Sequence, residues 1–184
     1  GDHRNIRAPM QWTNTANAGF STTAPWQPLG PGWQQDNVAL QDADPNSLLN
    51  WYRRLVDLRE AAPALRRGTC AVLGSSAAPV LAFVRADSTA SPAQSLLCVA
   101  NTSGIAQGAV ALTAPAWALA PGQYRGTDLL DASDVRTFTV DQDGRIANLG
   151  LDSHAVKVFA LQPVAAAPVA PPAAPRTGLR LEQN

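Results

Sequence analysis

The strongest constraint on the fold is a series of eight short apolar runs between residues 69 and 162. Turn-forming residues separate the runs at intervals typical of antiparallel sheets, and Asp143-Gly144 predicts a tight hairpin. The runs are Cys70–Leu73, Val80–Arg85, Leu96–Ala100, Ala109–Leu112, Tyr124–Leu130, Thr137–Val140, Arg145–Leu149 and Ala155–Leu161. We therefore predict a mainly β fold, an antiparallel β-sandwich of about eight strands.

A helix is predicted just before these runs. Asp44 has the character of an N-cap, and Pro45 suits the first helical position. Pro63 should end the helix, and Gly68 should close a short turn after it. One face of the predicted helix is apolar and covers about half of its surface, which indicates packing against a sheet and other helices. This face comprises Leu48, Leu49, Trp51, Tyr52, Leu55, Val56 and Leu58. Arg59 falls in the middle of this face and therefore needs a carboxylate or carbonyl partner.

Residues 1–43, here called the arm, show no sustained helix or strand period and are rich in Pro, Gly, Asn and Trp. A structureless stretch of about 40 residues is unusual inside a compact domain. Its aromatic side chains need a surface on which to pack; they are Trp12, Phe20, Trp26 and Trp33. We therefore expect an ordered loop lying on a larger body that is absent from this sequence.

These patterns predict four segments: the arm 1–43, the helix and turn 44–68, the β-sandwich 69–162, and a Pro/Ala-rich tail or linker 163–184. The formal net charge is zero, which gives no electrostatic reason to expect nucleic acid or an anionic membrane as partner. No apolar run reaches the ~20 residues of a membrane span. Cys70 and Cys98 lie in predicted strands and predict two buried thiols; a single bridge stays open if the protein is exported.

The sequence offers no catalytic constellation. His3 and His154 are the only two histidines, and neither a nucleophile elbow nor a metal-binding motif is present. The acidic residues fall mostly in turns or on the polar helix face, so none predicts the carboxyl pair that glycoside hydrolysis uses. We predict no catalytic residue, no metal ligand and no cofactor in this chain. A structural Ca²⁺ in a longer parent protein stays open.

Four short runs in the arm carry a resemblance to a known family: Arg7-Ala8-Pro9-Met10-Gln11-Trp12, Asn17-Ala18-Gly19-Phe20-Ser21, Pro25-Trp26 and Asn37-Val38. Together they resemble the α-amylase superfamily, glycoside hydrolase family 13. The branch they are most similar to holds bacterial α-amylases, oligo-α-glucosidases and trehalose synthases. The predicted helix and the turn to Gly68 are similar to the family's last barrel helix and the start of its C-terminal β domain.

The resemblance implies a fold in which the arm follows strand eight of a truncated (β/α)₈ barrel, the helix is the last barrel helix, and the β-sandwich is the amylase C-terminal domain. It implies that the family's catalytic carboxylates lie upstream. It also implies that Arg7, Trp12 and Phe20 contact an α-glucan substrate. For Arg7 a loop-pinning salt bridge is the competing role, and for the two aromatic residues it is loop packing.

The function implied is the C-terminal part of a retaining hydrolase of starch or maltodextrin, an α-amylase or α-glucosidase. A trehalose synthase or another transglycosidase is a close alternative. A non-catalytic carbohydrate-binding β-sandwich and a nonfunctional truncated product also stay open. The expected compartment depends on which of these enzymes the parent is: periplasmic or extracellular for an α-amylase, and cytoplasmic for an α-glucosidase.

Overall fold

A computed structural model of the chain describes residues 7–164. His3 and the predicted tail from residue 165 onward lie outside the described residues. The helices are α1 (Val38–Ala43), α2 (Leu48–Ala61) and α3 (Pro63–Arg67). The strands are β1 (Thr69–Val72), β2 (Gly74–Ser75), β3 (Val80–Asp87), β4 (Gln94–Asn101), β5 (Gln107–Thr113), β6 (Gly122–Asp128), β7 (Val135–Val140), β8 (Arg145–Leu151) and β9 (Val156–Pro163).

The strands hydrogen-bond in the order β1-β3-β4-β9-β6-β7-β8-β5-β2. Every strand pair for which the register is resolved is antiparallel. The predicted mainly β, antiparallel architecture is therefore confirmed, and each of the eight predicted runs forms a strand. Strand β2 was missed because Gly74-Ser75 has turn composition, whereas Gly74 and Ser75 pair with Thr113 and Leu112 of β5.

The described residues form two compact units: residues 7–71 with 83–96, and residues 72–82 with 97–164. In the second, here called the β unit, strand β6 pairs with β7 along residues 122–127 and with β9 along residues 124–128. The fully or nearly fully buried side chains of this unit form its core; they include Leu97, Val99, Val110, Leu112, Phe138, Ile146 and Phe159.

The predicted hairpin at Asp143-Gly144 is confirmed as the connection between β7 and β8. The Asp141 carboxylate accepts hydrogen bonds from the amide groups of Asp143 and Arg145, at 2.9 and 2.8 Å. Gly144 has φ of 76°, a conformation that glycine adopts without strain. A side chain there would also meet the carbonyl oxygen of Ala114, 2.3 Å from the position of a Cβ atom.

In the first unit, here called the helical unit, α2 begins later than predicted. Its N-cap is Ser47, whose hydroxyl accepts a hydrogen bond from the Asn50 amide at 3.2 Å. The predicted N-cap, Asp44, instead ends α1, and its carboxylate accepts a hydrogen bond from the Asn46 amide at 2.9 Å. The prediction that the helix starts at Pro45 is thus wrong, because a serine nearer the apolar run satisfies the first-turn amides.

Pro63 ends α2 as predicted, and the chain continues as the short helix α3. The Arg85 guanidinium donates hydrogen bonds to the carbonyl groups of Ala64 and Gly68, at 3.1 and 2.8 Å. The Gly68 carbonyl lies at the helix end, where carbonyl groups have no intrahelical partner, whereas the Ala64 carbonyl also accepts from the Gly68 amide at 3.1 Å. The Ala64 amide in turn donates to the Gln94 side chain at 3.0 Å. The end of α3 is therefore fixed by polar side chains of β3 and β4.

The prediction of two buried thiols is correct for Cys98 and wrong for Cys70, which is exposed. Strand β1 lies at an edge of the sheet, and of its four residues only Ala71 is buried. Because side chains alternate along a strand, Cys70 points away from the side on which Ala71 is packed.

Candidate functional site

The early part of the arm is held by backbone hydrogen bonds on the first turn of α1, the helix in which the arm ends. The Val38 and Ala39 amide groups donate to the carbonyl oxygens of Gln11 and Trp12, at 2.9 and 3.0 Å. The buried Asn37 side chain caps the same turn by accepting from the Leu40 amide at 3.1 Å. A helix N-terminus leaves amide groups without intrahelical partners. Here the arm supplies those partners, which places Gln11 and Trp12 beside α1.

A left-handed turn fixes the next part of the arm. Asn17, Ala18 and Gly19 have φ of 53°, 56° and 66°, and Ala18 is completely buried. The Ala18 carbonyl oxygen accepts hydrogen bonds from the amides of Trp12 and Thr13, at 2.9 and 3.1 Å. Positive φ at a residue other than glycine is uncommon and is concentrated at functional sites. The bond to Ala18 holds Trp12 against the turn, and Phe20 follows the turn directly in the chain.

The residues predicted to contact substrate all lie on the surface of the arm. Trp12 is 48% exposed, Phe20 is 49% exposed, and Arg7 is exposed. Within residues 7–164, Arg7 forms no ion pair. Trp26 is 84% exposed and adds another aromatic surface to the same loop. The structure therefore places these side chains on one ordered loop, although none of them packs fully against the rest of the helical unit.

An apolar groove runs between the arm and α2. It is lined by Met10, Val38, Gln41, Leu48, Leu49 and Tyr52. No residue of α2 is buried, and the exposed apolar residues Leu48, Tyr52 and Val56 are spaced four apart along one side of the helix. The broad apolar face predicted from the sequence thus forms, but within the described residues it stays open.

Arg59, which interrupts this apolar face, has the carbonyl partner that its position requires. Its Nη1 atom donates to the carbonyl oxygen of Leu65 at 2.5 Å. The guanidinium is exposed, so part of its charge is also hydrated. The prediction of a carboxylate or carbonyl partner is confirmed, and the partner comes from α3.

The carboxylates near the arm serve local structure. Asp36 accepts a hydrogen bond from the Gln41 side chain at 2.6 Å, and Asp42 pairs with Arg53. Among the described residues, no group of three or more His, Cys, Asp or Glu side chains is placed to hold a metal ion. The arm can therefore offer aromatic faces and a guanidinium to a ligand, which suits binding and positioning rather than acid–base catalysis.

The β unit contains an ionic cluster made of Asp128, Asp134, Arg136 and Lys157. The Lys157 ammonium lies 3.1 Å from an oxygen of the buried Asp128 and 2.9 Å from one of Asp134. The Arg136 guanidinium donates two hydrogen bonds to Asp134, each of 2.8 Å. These bonds, and those from Lys157, lower the pKa of Asp134 to about 2, even though burial opposes the shift.

We expect this cluster to make the stability of the β unit depend on pH below 5. The pKa of Asp134 is about 2 in the folded chain and about 3.9 for an ordinary aspartate, so the folded state binds fewer protons in acid. The stabilisation is complete above about pH 5 and is lost as the pH falls through about 4 to 2. Thermal melting followed by circular dichroism between pH 6 and pH 2 should show this loss.

The variant Asp134→Asn isolates this contribution, because an amide cannot titrate there. Its melting temperature should be lower than that of the wild type at pH 6 and should change less between pH 5 and 2. Asp143→Asn is the matched control, since Asp143 is exposed and its side chain has no partner among the described residues. Equal acid sensitivity in Asp134→Asn and the wild type would contradict the assignment.

No helix of the described chain is both long and apolar enough to cross a membrane.

Comparison with known proteins identifies a matching family. Residues 1–68 match the family model described as the α-amylase catalytic domain. These residues belong to the α-amylase family. The match comprises the arm, α2 and α3, and it includes the four runs of the arm that resemble the family.

Two curated relatives illustrate how far the family similarity extends. An α-glucosidase of Pediococcus pentosaceus is 42% identical over 69 residues, which are 38% of this chain and 12% of the relative. A trehalose synthase/amylase of Mycobacterium tuberculosis is 39% identical over 114 residues, which are 58% of this chain and 19% of the relative. The chain thus spans less than a fifth of the length of either family member.

A solved structure extends the similarity over most of the fold. The trehalulose synthase MutB from Pseudomonas mesoacidophila MX-45 superposes with a TM-score of 0.61 at 26% identity. The superposition covers 86% of this chain and 26% of that enzyme. The antiparallel strands after the family-matched residues are therefore also similar to part of an α-amylase-family enzyme.

Proposed function

We propose that this chain is the C-terminal part of a retaining glycoside hydrolase that acts on α-glucans, an α-amylase or α-glucosidase of starch or maltodextrin metabolism. The single observation that carries the proposal is the match of residues 1–68 to the α-amylase catalytic domain. The exposed aromatic residues of the arm support it, because sugar rings pack on such faces through their apolar C–H surfaces.

In this proposal the chain contributes substrate contacts and not the catalytic carboxylates. Retaining hydrolysis needs a nucleophile and an acid/base about 5 Å apart. Among the arm carboxylates, Asp36 and Asp42 are engaged in local hydrogen bonds. Trp12 and Phe20 would pack on glucose rings, and Arg7 would donate hydrogen bonds to sugar hydroxyls or to acidic groups at the mouth of the site.

The open apolar side of α2 fits the same proposal. Leu48 and Tyr52 are 72% and 66% exposed, which is unusual for two apolar residues one turn apart. Burying them against the rest of a catalytic domain would stabilise the assembly by about 1.5–3 kcal/mol for each fully buried side chain. We propose that this face packs on the larger part of that domain.

A transglycosidase, such as a trehalose synthase, is the second candidate. The observation that favours it is the similarity to a trehalose synthase/amylase, which is 39% identical over 58% of this chain. Both candidates use the same double displacement and differ in whether water or a sugar hydroxyl takes the glycosyl group. Product analysis of an active enzyme with maltose, for trehalose against glucose, distinguishes them.

A chimeric enzyme tests the proposal. The full chain replaces the matching region of the P. pentosaceus α-glucosidase, and hydrolysis of maltotetraose is measured beside that of the unaltered relative. We expect the chimera to hydrolyse maltotetraose, whereas the chain alone shows no turnover. Turnover by the chain alone, or a folded but inactive chimera beside an active relative, would refute the proposal.

Within the chimera, Trp12→Ala should raise KM about tenfold and change kcat little. An aromatic face that holds the sugar equally in the ground and transition states contributes to KM alone. Trp12→Phe is the matched variant, because it keeps a flat apolar face and should recover most of the affinity. If Trp12 only packs the loop, Trp12→Ala would lower the melting temperature and leave KM unchanged.

A further inference from the structure

The β unit carries one aromatic side chain that its core does not use. Its described aromatic residues are Trp117, Tyr124, Phe138 and Phe159. The last three are at most 9% exposed, whereas Trp117 is 67% exposed. Large aromatic side chains are favoured in cores and at binding surfaces, and a tryptophan left in water gains nothing for the stability of the fold.

Trp117 is presented on a rigid turn. The Ala118 amide donates to the carbonyl oxygen of Pro115 at 2.8 Å, which closes the turn around Trp117. Ala114 and Leu119 anchor the two sides of the turn, at 3% and 4% exposure. Binding of a ligand to Trp117 therefore requires little ordering of the backbone, which favours affinity.

Hydrogen-bonding groups lie on the neighbouring hairpin. The Ala114 amide donates to the carbonyl oxygen of Gly144 at 2.9 Å, which joins the Trp117 turn to the connection between β7 and β8. On that connection Gln142 and Asp143 are exposed, and their side chains form no hydrogen bond or ion pair with any described residue. The turn that presents an apolar ring is thus joined to a hairpin that presents a carboxylate and an amide. Together they offer the two chemistries that a sugar ring requires, a face for its apolar side and partners for its hydroxyl groups.

We propose that Trp117, together with Gln142 and Asp143 of the hairpin joined to its turn, is a carbohydrate-binding platform on the β unit, and that its ligand is an α-glucan chain. The identity of the sugar rests on the proposed function, whereas the platform itself rests on the exposure and rigidity of Trp117. A glucose unit stacks on the indole ring, and its hydroxyl groups donate to the Asp143 carboxylate.

Affinity electrophoresis of the full chain tests this platform without any need for turnover. The chain is run in native gels with and without amylopectin, beside gels that contain an equal mass of a β-1,3-glucan. We expect retardation by amylopectin, and Trp117→Ala should weaken the apparent affinity about tenfold, the effect typical of an aromatic residue central to a binding site. Asp143→Ala should weaken it less.

Ile105→Ala is the matched control, because Ile105 is also a large apolar residue of the β unit and is 73% exposed. It should leave the retardation unchanged, and neither variant should lower the melting temperature of the chain. Unaltered retardation of Trp117→Ala, or no retardation of the wild type, would refute the platform. Equal retardation by the β-glucan would refute the α-glucan ligand.

The two proposals fail separately. An inactive chimera whose free chain is still retarded through Trp117 would refute the proposed hydrolase and leave the platform standing. An active chimera in which Trp117→Ala alters neither retardation nor adsorption to granular starch would refute the platform and leave the proposed hydrolase standing. On maltotetraose the Trp117→Ala chimera should keep the full rate, because in this proposal Trp117 binds a long glucan and does not contact the bond that is cleaved.

Discussion

Replacing Asp128 by alanine should lower the free energy of unfolding of the β unit by about 3 kcal/mol. The Asp128 side chain is 1% exposed and lies beside the Lys157 ammonium at 3.1 Å. Its other oxygen accepts hydrogen bonds from the buried amide of Val158 at 3.0 Å and from that of Leu130 at 3.1 Å. The alanine variant loses the ion pair and leaves these amides without an acceptor, and urea unfolding would measure the loss.

Asp128→Asn separates the two contributions. The amide oxygen can still accept from Val158 and Leu130, whereas the charge opposite Lys157 is gone. We expect this variant to lose less than the alanine variant, because Lys157 keeps its second partner Asp134 at 2.9 Å. Asp143→Ala is the surface control and should change the free energy by less than about 0.5 kcal/mol. A loss in Asp128→Ala no larger than in that control would show that the cluster does not stabilise the unit.

The second large effect is expected for Gly126→Ala, a loss of about 2–3 kcal/mol from overpacking. A Cβ atom at Gly126 would lie 2.4 Å and 3.0 Å from two ring atoms of Phe138 and 3.2 Å from the Cβ atom of Phe159. The rings of Phe138 and Phe159 pack edge to face with centroids 5.0 Å apart. The Phe138 ring therefore cannot withdraw without disturbing its contact with Phe159.

A double-mutant cycle with Phe138→Leu identifies the cause of that loss. Leucine lacks the Cε2 atom, which is the ring atom nearest to the new methyl group, so the double variant should be more stable than the sum of the two single changes predicts. Gly108→Ala is the matched control, because nothing lies within 4 Å of its Cβ position. Strict additivity of Gly126→Ala and Phe138→Leu would mean that the steric explanation is wrong.

The strands could be predicted well because alternation of apolar side chains and turn composition both act locally. The start of α2 was missed because two capping residues, Asp44 and Ser47, compete, and tertiary contacts decide between them. The Ser47 hydroxyl donates to the Gln41 carbonyl at 2.6 Å, a contact that no local pattern reveals. The exposure of Cys70 follows from the edge position of β1, which depends on strand order and therefore on the whole sheet.

The sequence predicted that the arm is an ordered loop, but it did not predict the path of the arm's backbone. Its proline, glycine and aromatic content predicted order without regular structure, whereas α1 escaped detection because six residues are too few to show a period. The bonds from Val38 and Ala39 to the carbonyls of Gln11 and Trp12 join positions about 27 residues apart, and nothing in composition specifies such pairing. Whether Arg7, Trp12 and Phe20 contact sugar stays a prediction.

The left-handed turn at Asn17, Ala18 and Gly19 has a consequence for comparing enzymes of this kind. Its three residues are constrained by handedness and by room: asparagine and glycine tolerate positive φ, and the buried Ala18 leaves no space for a longer side chain. Selection for backbone path alone would keep such a tripeptide in relatives whose neighbouring side chains differ. Its presence in a newly sequenced homologue therefore diagnoses loop shape, and specificity has to be sought in the variable side chains around it.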